Sequence, residues 1–103
     1  MAINTVNNII HNELVNNGWQ PYKTNTDIKF IYKKQQIKSI PFSEFIFAEF
    51  IIEYFSKNKI AITVPIPFRD SYLSYRNIFS IEDVDSIQDY IKIHLSNNSN
   101  NDN

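Results

Sequence analysis

The sequence is short of the residues on which several kinds of functional site depend. It has no cysteine and a single glycine, Gly18, among 103 residues. Without cysteine, disulfides and thiolate metal sites are excluded, and one glycine cannot make a glycine-rich loop around a phosphate. A formal net charge of −1 rules out a strongly basic nucleic-acid binder on bulk charge alone. No apolar run approaches the ~20 residues that a membrane-spanning helix needs.

The chain does contain enough apolar surface for one folded domain. Hydrophobic residues make up 43% and aromatic residues 15%, which is typical of a globular protein. We expect a single domain over residues 1–95 and a disordered polar tail, SNNSNNDN, over residues 96–103. The first residues lack the basic start and apolar run of a signal peptide, so we expect cytoplasmic residence. Abundant Asn, Ile and Lys (14, 18 and 8 residues) are typical of an AT-rich genome, such as that of a bacterium or a phage.

Both ends of the domain are predicted to be helical. Apolar residues from Ile3 to Leu14 have helical spacing, and Gly18 supplies a stop, because glycine readily adopts the left-handed conformation that closes a helix. Near the other end, Ser80 is predicted to cap a helix whose first turns are acidic. The apolar stripe of this last helix comprises Ile81, Val84, Ile87, Ile91 and Leu95.

Alternation of apolar and polar residues predicts the strands between these helices. We predict strands over residues 20–23, 27–33, 36–40, 59–68 and 72–79. The second and third would be joined by a turn at Lys34 and Gln35. Pro65 and Pro67 cannot donate to a neighbouring strand, so their end of the strand should lie at an edge or leave the sheet.

The most apolar stretch, FSEFIFAEFIIEYF over residues 42–55, is predicted to be a central helix spanning Phe42–Lys57. Glu49, Glu53 and Lys57 lie four residues apart and would form one narrow polar stripe. A helix that is hydrophobic nearly all round is normally buried on several sides. The predicted fold is therefore α+β, an antiparallel sheet with element order α-β-β-(β)-α-β-β-α and the apolar helix packed on the sheet.

One sheet covers only one side of such a helix, so a second chain is expected to cover another. Burying a large side chain is worth roughly 1.5–3 kcal/mol, a sizeable part of a total stability of about 5–15 kcal/mol. We expect a homodimer or a larger complex, although the two flanking helices could instead cover this helix within a monomer. The predicted interface residues are Phe45, Ile46, Phe50, Ile66 and Phe68.

The order of predicted elements over residues 3–95 resembles that of the class I type III secretion chaperones and of the related YbjN-like proteins. LVNNGWQPYKTNTDIKFIYKK, from Leu14, corresponds to their first helix entering the first strands. FSEFIFAEFIIEYF falls where that family has its central helix. The resemblance implies a dimer built in part by this helix and a chaperone-like function.

Residue types that carry catalysis are present but not in catalytic patterns. His11 and His94 have no metal-ligand spacing to an acidic cluster, and no serine lies in a G-x-S-x-G motif. The acids between Glu82 and Asp89 fall in the first turns of a helix, where they stabilise the helix dipole. We therefore expect no catalytic residues, no metal, no cofactor and no enzymatic activity.

Two sets of basic residues are candidate contacts. Arg69 and Arg76 are the only arginines; they could contact an anion or form an ion pair at a hairpin tip with Asp70. The lysines on the first hairpin are Lys23, Lys29, Lys33, Lys34 and Lys38. Aromatic residues between these lysines could stack on bases while the lysines track phosphates, or the aromatics could belong to the core and the lysines to a solvated surface.

The sequence favours a protein-binding function without catalysis. We expect an adaptor or chaperone-like protein, such as an accessory protein of a phage or mobile element, that acts through the apolar helix as a homodimer or in a complex. The alternative is a nucleic-acid-binding protein that uses residues 19–40.

Overall fold

The fold was analysed in a computed structural model, which describes residues 3–36, 46–68 and 71–97. Its elements are α1 (Ile3–Val15), β1 (Gln20–Tyr22), β2 (Lys29–Gln36), β3 (Ile46–Ser56), β4 (Lys59–Phe68), β5 (Ser71–Ser80) and α2 (Val84–Asn97). The strands form one sheet in the order β1-β2-β3-β4-β5, and every neighbouring pair is antiparallel. The predicted α+β class with an antiparallel sheet is confirmed.

Both helices contact each other and the sheet, α1 through β1 and α2 through β4. They cover one face of the sheet, which we name the inner face; the opposite face is the outer face. The core between helices and sheet is continuous, and Trp19 packs edge-on against Phe50 with ring centroids 4.7 Å apart. Fully buried helix residues include Val6, Ile10, Leu14, Ile87 and Ile91, and their partners on the sheet include Ile52, Ile60, Ile62 and Val64.

The predicted first helix, its glycine stop and the short strand after it are confirmed. Gly18 has φ 90°, a left-handed conformation that residues with a Cβ rarely adopt. The Gly18 N–H donates to the Val15 carbonyl at 3.0 Å, and the Trp19 N–H donates to the Leu14 carbonyl at 3.0 Å. This pair of bonds is a Schellman motif, which satisfies the last carbonyls of the helix and directs the chain into β1.

The predicted central helix is wrong, because the chain from Ile46 to Ser56 is the strand β3. Lys57 lies in the turn between β3 and β4, and the predicted helical residues 42–45 lie outside the described residues. The element order that motivated the chaperone resemblance therefore differs from the observed one. In the part of the chain that the structure describes, five strands follow one another between the two helices.

The apolar stretch was compatible with both structures because two of its glutamates, Glu49 and Glu53, are four residues apart. A spacing of four places Glu49 and Glu53 on one stripe of a helix, but it also places them on one face of a strand. The other face of β3 is apolar throughout and buried: Ala48, Phe50, Ile52 and Tyr54. The stretch is also rich in Phe, Ile and Tyr, which favour strands. Alternation and composition are consistent with the strand, and pairing with β2 and β4 selects it.

The predicted turn at Lys34 and Gln35 is also wrong. Strand β2 continues through both residues to Gln36 and pairs with β3 along its whole length, from Lys29↔Glu53 to Gln36↔Ile46. The rest of the predicted strand over residues 36–40 lies outside the described residues. The long partner β3, absent from the prediction, is what makes β2 extend past the expected turn.

The strand predictions for β4 and β5 are confirmed, and the two prolines affect one side of β4 only. β4 pairs with β5 along its whole length, whereas its register with β3 ends at Thr63. The Ile81 N–H donates to the Asn58 carbonyl on the β5 side of β4. Backbone groups alternate in direction along a strand, so Pro65 and Pro67 are oriented towards β3, where neither has an N–H to donate.

The last helix begins later than predicted. α2 starts at Val84, and the Asp83 carbonyl accepts a hydrogen bond from the Ile87 N–H at 3.0 Å, which makes Asp83 the residue that precedes the first turn. The Ser80 hydroxyl accepts from the Glu82 N–H at 3.3 Å within the preceding turn, so Ser80 does not cap the helix. The predicted apolar stripe is confirmed, since Ile81, Ile87, Ile91 and Leu95 are buried and Val84 packs against the core.

Candidate functional site

The outer face of the sheet carries charged side chains that pair across strands. Lys33 Nζ lies 3.4 Å from Glu49 on the adjacent strand β3. Arg76 on β5 reaches across β4 and lies 3.9 Å from Glu53 on β3. Ion pairs of this kind are expected where one face of an antiparallel sheet meets solvent. Since Glu49 and Glu53 each have a cation beside them, these charged groups are explained as a solvated part of the sheet surface.

The predicted basic surface is divided between the two faces of the sheet. Lys33 is on the outer face, with its Nζ 4.6 Å from the centroid of the exposed Tyr22 ring. Lys34, next in sequence, is on the inner face, where its Nζ donates to the Asn17 carbonyl at 3.2 Å. Lys23 and Lys29 are exposed. Lys38 lies outside the described residues.

Most aromatic residues of this hairpin lie in the core. This agrees with the alternative in which the aromatic residues belong to the core and the lysines to a solvated surface. Trp19 and Tyr32 are buried, and Phe30 packs against the core. Tyr22 is the exception, with 44% of its surface exposed. It lines a hollow of about 440 Å³ together with Lys23 and Lys29. The only aromatic group that this hairpin offers to a nucleobase, among the described residues, is therefore Tyr22.

The two arginines predicted as an anion contact are not seen together. Arg69 lies outside the described residues. Arg76 is on the outer face of β5, where it contacts Glu53 and lies 5.8 Å from the centroid of the Phe55 ring. With a carboxylate already beside it, Arg76 is partly neutralised as an anion-binding group.

Of the five predicted interface residues, Phe50 is contradicted. Its side chain is fully buried in the core against Trp19, so it cannot contact another chain. Ile66 is partly buried and packs against the same core. Ile46 and Phe68 lie at the ends of β3 and β4, and Phe45 lies outside the described residues. The interface prediction failed at Phe50 because it placed this residue on the exposed side of a helix, whereas the strand turns it inward.

A small polar cluster lies between α1 and the inner face. The Tyr54 hydroxyl donates to Asn7 Oδ1 at 3.0 Å, and the Tyr32 hydroxyl lies 2.8 Å from His11 Nδ1. Burial raises the pKa of both tyrosines, and for Tyr54 the proximity of Tyr32 raises the pKa further. A raised pKa keeps both hydroxyls protonated and opposes a role as a base or nucleophile. The cluster serves to satisfy buried hydroxyls.

The two histidines lie on different helices. His94 packs edge-on against Tyr90, with ring centroids 4.6 Å apart, on the helix opposite His11. Within residues 3–36, 46–68 and 71–97, no group of three or more His, Asp or Glu side chains is arranged to hold a metal ion. In the same residues, no helix has both the length and the apolar character needed to cross a membrane.

The edge position of strand β5 is the feature that the sequence prediction missed. This strand is the last of the sheet, and residues 73–78 are all exposed. Three large apolar side chains contribute: Leu73 at 43%, Tyr75 at 57% and Ile78 at 52% exposure. Alternation had predicted the strand, but no sequence signal distinguishes an edge strand from an inner one when the same residue types alternate.

On its side away from β4, β5 also has backbone N–H and C=O groups that pair with no other described strand. The Ile81 N–H bonds to β4, and the register from there to Ser71 is unbroken, so every second residue of β5 turns its N–H and C=O away from β4. The residues with outward-directed backbone groups are Tyr72, Ser74, Arg76, Ile78 and Ser80. None is a proline, so each has an N–H to donate as well as a carbonyl to accept.

The comparisons with known proteins add no relative. No family model, no curated protein and no solved structure matches the chain. The candidate site is therefore defined by the geometry of β5 alone.

Proposed function

We propose that this chain is a non-enzymatic protein-binding module whose docking site is the outward side of β5. An extended segment of a protein partner would pair with β5 and become a sixth strand of the sheet. In this mode of recognition, main-chain hydrogen bonds supply affinity and alternate side chains supply specificity.

The observation that carries the proposal is an edge strand of ten residues, Ser71–Ser80, with no proline and one charged residue, Arg76. Natural sheets usually blunt an edge with a short strand, prolines, lysines or a covering element, because a bare edge pairs with other chains. Apart from the charge of Arg76, β5 has none of these over residues 73–78, and no described element covers this part of the strand. A bare edge of this length is therefore explained by a partner strand.

The apolar side chains of β5 fit the same occupant. Tyr75 and Leu73 lie on the inner face beyond the cover of the helices, and Ile78 lies on the outer face. An added strand brings its own side chains alongside both faces, since successive side chains alternate. One extended segment would thus cover all three residues, which a partner lying on either face alone would not do.

Affinity capture with paired variants tests this proposal. Ile78→Lys introduces a charge on β5, and the matched control Ile28→Lys introduces the same charge on a loop residue of similar exposure, 45% against 52%. We expect a specific protein bound by the wild-type chain to be retained by Ile28→Lys and lost by Ile78→Lys. Equal retention by both variants would exclude β5 as the docking site.

Nucleic-acid binding is the alternative function, and the exposed ring of Tyr22 beside Lys23 and Lys29 is the observation that favours it. Base stacking on one aromatic residue contributes about 1–3 kcal/mol. If this function is correct, single-stranded RNA or DNA should bind with a steep salt dependence, and Tyr22→Ala should weaken binding. If binding is absent or independent of salt, the nucleic-acid alternative is excluded and protein binding remains the proposed function.

Cytoplasmic residence belongs to the same proposal. Fractionation of the native cells, followed by immunodetection of the chain, tests it; recovery in an exported fraction would contradict it.

A further inference from the structure

We infer that the strand that pairs with β5 is β5 of a second copy of this chain, in antiparallel register about a two-fold axis at Tyr75. This inference rests on the proposed function and names its partner. Two copies would join their sheets into one continuous ten-stranded sheet, built from the five strands of each chain.

Symmetry restricts how two β5 strands can pair. A two-fold axis perpendicular to the sheet makes the strands antiparallel and makes the contact isologous, with residue i opposite j and j opposite i. Hydrogen bonds form only if outward-directed residues face one another, as Tyr72, Ser74, Arg76, Ile78 and Ser80 would. Registers that place an outward-directed residue opposite an inward-directed one are excluded.

Two of the permitted registers give the longest overlap of Ser71–Ser80 with its copy. One centres the axis on Arg76, the other on Tyr75. Centring on Arg76 places this guanidinium directly opposite its own copy, and like charges in direct cross-strand opposition destabilise a sheet. The register centred on Tyr75 avoids this repulsion.

The pairs formed in the Tyr75 register are mutually compatible on the outer face. Arg76 lies opposite Ser74 of the other copy, so its guanidinium meets no like charge there, and Ile78 lies opposite position 72. Arg76 also keeps its contact with Glu53 of its own chain, at 3.9 Å.

On the inner face, the same register brings the most exposed side chain of β5 to the axis. Tyr75, at 57% exposure, meets its own copy, and Leu73 faces Asn77 of the other copy. Asn77 is hydrogen-bonded to the Tyr90 side chain of its own α2, so part of its hydrogen-bonding capacity is used within its own chain. The exposed apolar residues of β5 are thereby covered without leaving a buried charge unpaired.

Single cysteines give a direct test of the axis, because the chain has no cysteine of its own. At the Tyr75 axis, the two copies of residue 75 form a non-hydrogen-bonded pair with Cα atoms about 4.5 Å apart, within the range of about 4.4–6.8 Å that a disulfide spans. We expect Tyr75→Cys to form a covalent dimer under mild oxidation. Ser74→Cys, Arg76→Cys and Asn77→Cys, whose copies lie further apart, should cross-link much less.

Sedimentation equilibrium over a concentration series supplies the second measurement. The wild type and Ile28→Lys should show a reversible monomer–dimer equilibrium, and Ile78→Lys should shift it towards monomer by at least tenfold in dissociation constant. Preferential cross-linking at residue 76 or 77 would overturn the proposed register. A wild-type chain that stays monomeric throughout would overturn the inference.

The failure of this inference is distinguishable from that of the proposed function. A monomeric chain that still captures another protein, with capture lost only in Ile78→Lys, would replace the second copy by a different partner and leave the docking site in place. A monomeric chain whose captured proteins are unaffected by Ile78→Lys would overturn both.

Discussion

The two edges of the sheet differ in every property that governs strand addition. β1 has three residues, and its outward-directed residue is Pro21, because Gln20 and Tyr22 face β2. A proline at that position has no N–H to offer to an added strand. β5 has ten residues, and its outward-directed residues all carry an N–H. The sheet is therefore closed to extension at β1 and open at β5.

This difference separates stability from recognition within one sheet. The middle strands are buried by α1 and α2, whereas the helices leave residues 73–78 of β5 exposed. Changes in the middle should affect unfolding, and changes on the outward side of β5 should affect association. Variants at the two kinds of position test this separation.

Removal of Phe50 should have the largest effect on stability. Phe50→Ala leaves a cavity beside Trp19 in the middle of the sheet, and truncation of a buried phenylalanine costs about 3–5 kcal/mol. The matched control is Phe55→Ala, at a residue of β3 that is 43% exposed, where we expect a cost below about 1 kcal/mol. Urea denaturation measures both. Equal costs would mean that β3 is not the buried centre of the fold.

Proline substitutions at two neighbouring residues of β5 should distinguish the side that faces β4 from the outward side. Tyr75→Pro removes an N–H that is directed at β4, and loss of this ladder bond should cost about 1–3 kcal/mol. Ser74→Pro removes an outward-directed N–H instead, which an edge strand tolerates. Denaturation at a concentration where the chain is monomeric compares them. The assigned direction of the β5 backbone would be wrong if Ser74→Pro were the more destabilising variant.

Substitution of Gly18, in the turn that leads into the edge strand β1, should have a moderate effect on stability. An alanine Cβ at this position would meet only the Lys34 side chain, at 3.6 Å from its Cε, which is an ordinary contact. The cost therefore comes from the left-handed backbone conformation and should be about 1 kcal/mol. Thermal denaturation measures it. A stabilising effect would contradict the Schellman turn that connects α1 to β1.

The smallest expected effect is a pH dependence through α2. Burial lowers the pKa of His94 in the folded chain, so the unfolded chain, with a histidine pKa of about 6.5, binds the proton more readily. The free energy of unfolding should therefore fall as the pH decreases below about 6.5 and level off below the folded-state pKa, with a slope of at most about 1.4 kcal/mol per pH unit.

His94→Gln is the control for this pH dependence, since glutamine does not titrate. Denaturation curves at several pH values should show a shallower decrease for this variant than for the wild type. Identical slopes would assign the pH dependence to other groups.

Most of the elements could be predicted from the sequence because their signals are local. Helical spacing and Gly18 defined α1, and strict alternation defined β4. The central error arose at Glu49 and Glu53, whose spacing of four fits a helix stripe and a strand face equally well. What decides between them is pairing with β2 and β4, and pairing between distant segments is not a property of the stretch itself.

The candidate site was less accessible to prediction than the fold. Tyr75 and Ile78 alternate with polar residues as core residues do, and nothing in SYLSYRNIFS states that β5 has a neighbour on one side only. The position of a strand within a sheet follows from the whole topology. The signals present in the sequence were the prolines of β4 and Pro21 of β1. A proline shows where strand pairing is prevented, but it does not show where a strand lacks a neighbour.

Amide hydrogen exchange along β5, measured by NMR at low and high protein concentration, shows directly whether the outward side of β5 accepts a strand. In the dilute monomer, the amides of Leu73, Tyr75 and Asn77 should be protected by β4, whereas those of Ser74 and Arg76 should exchange rapidly. At high concentration, the rapid amides should become protected as the second copy pairs with them. Uniform protection in the dilute monomer, or rapid exchange of the outward amides in an established dimer, would contradict an open edge that accepts a strand.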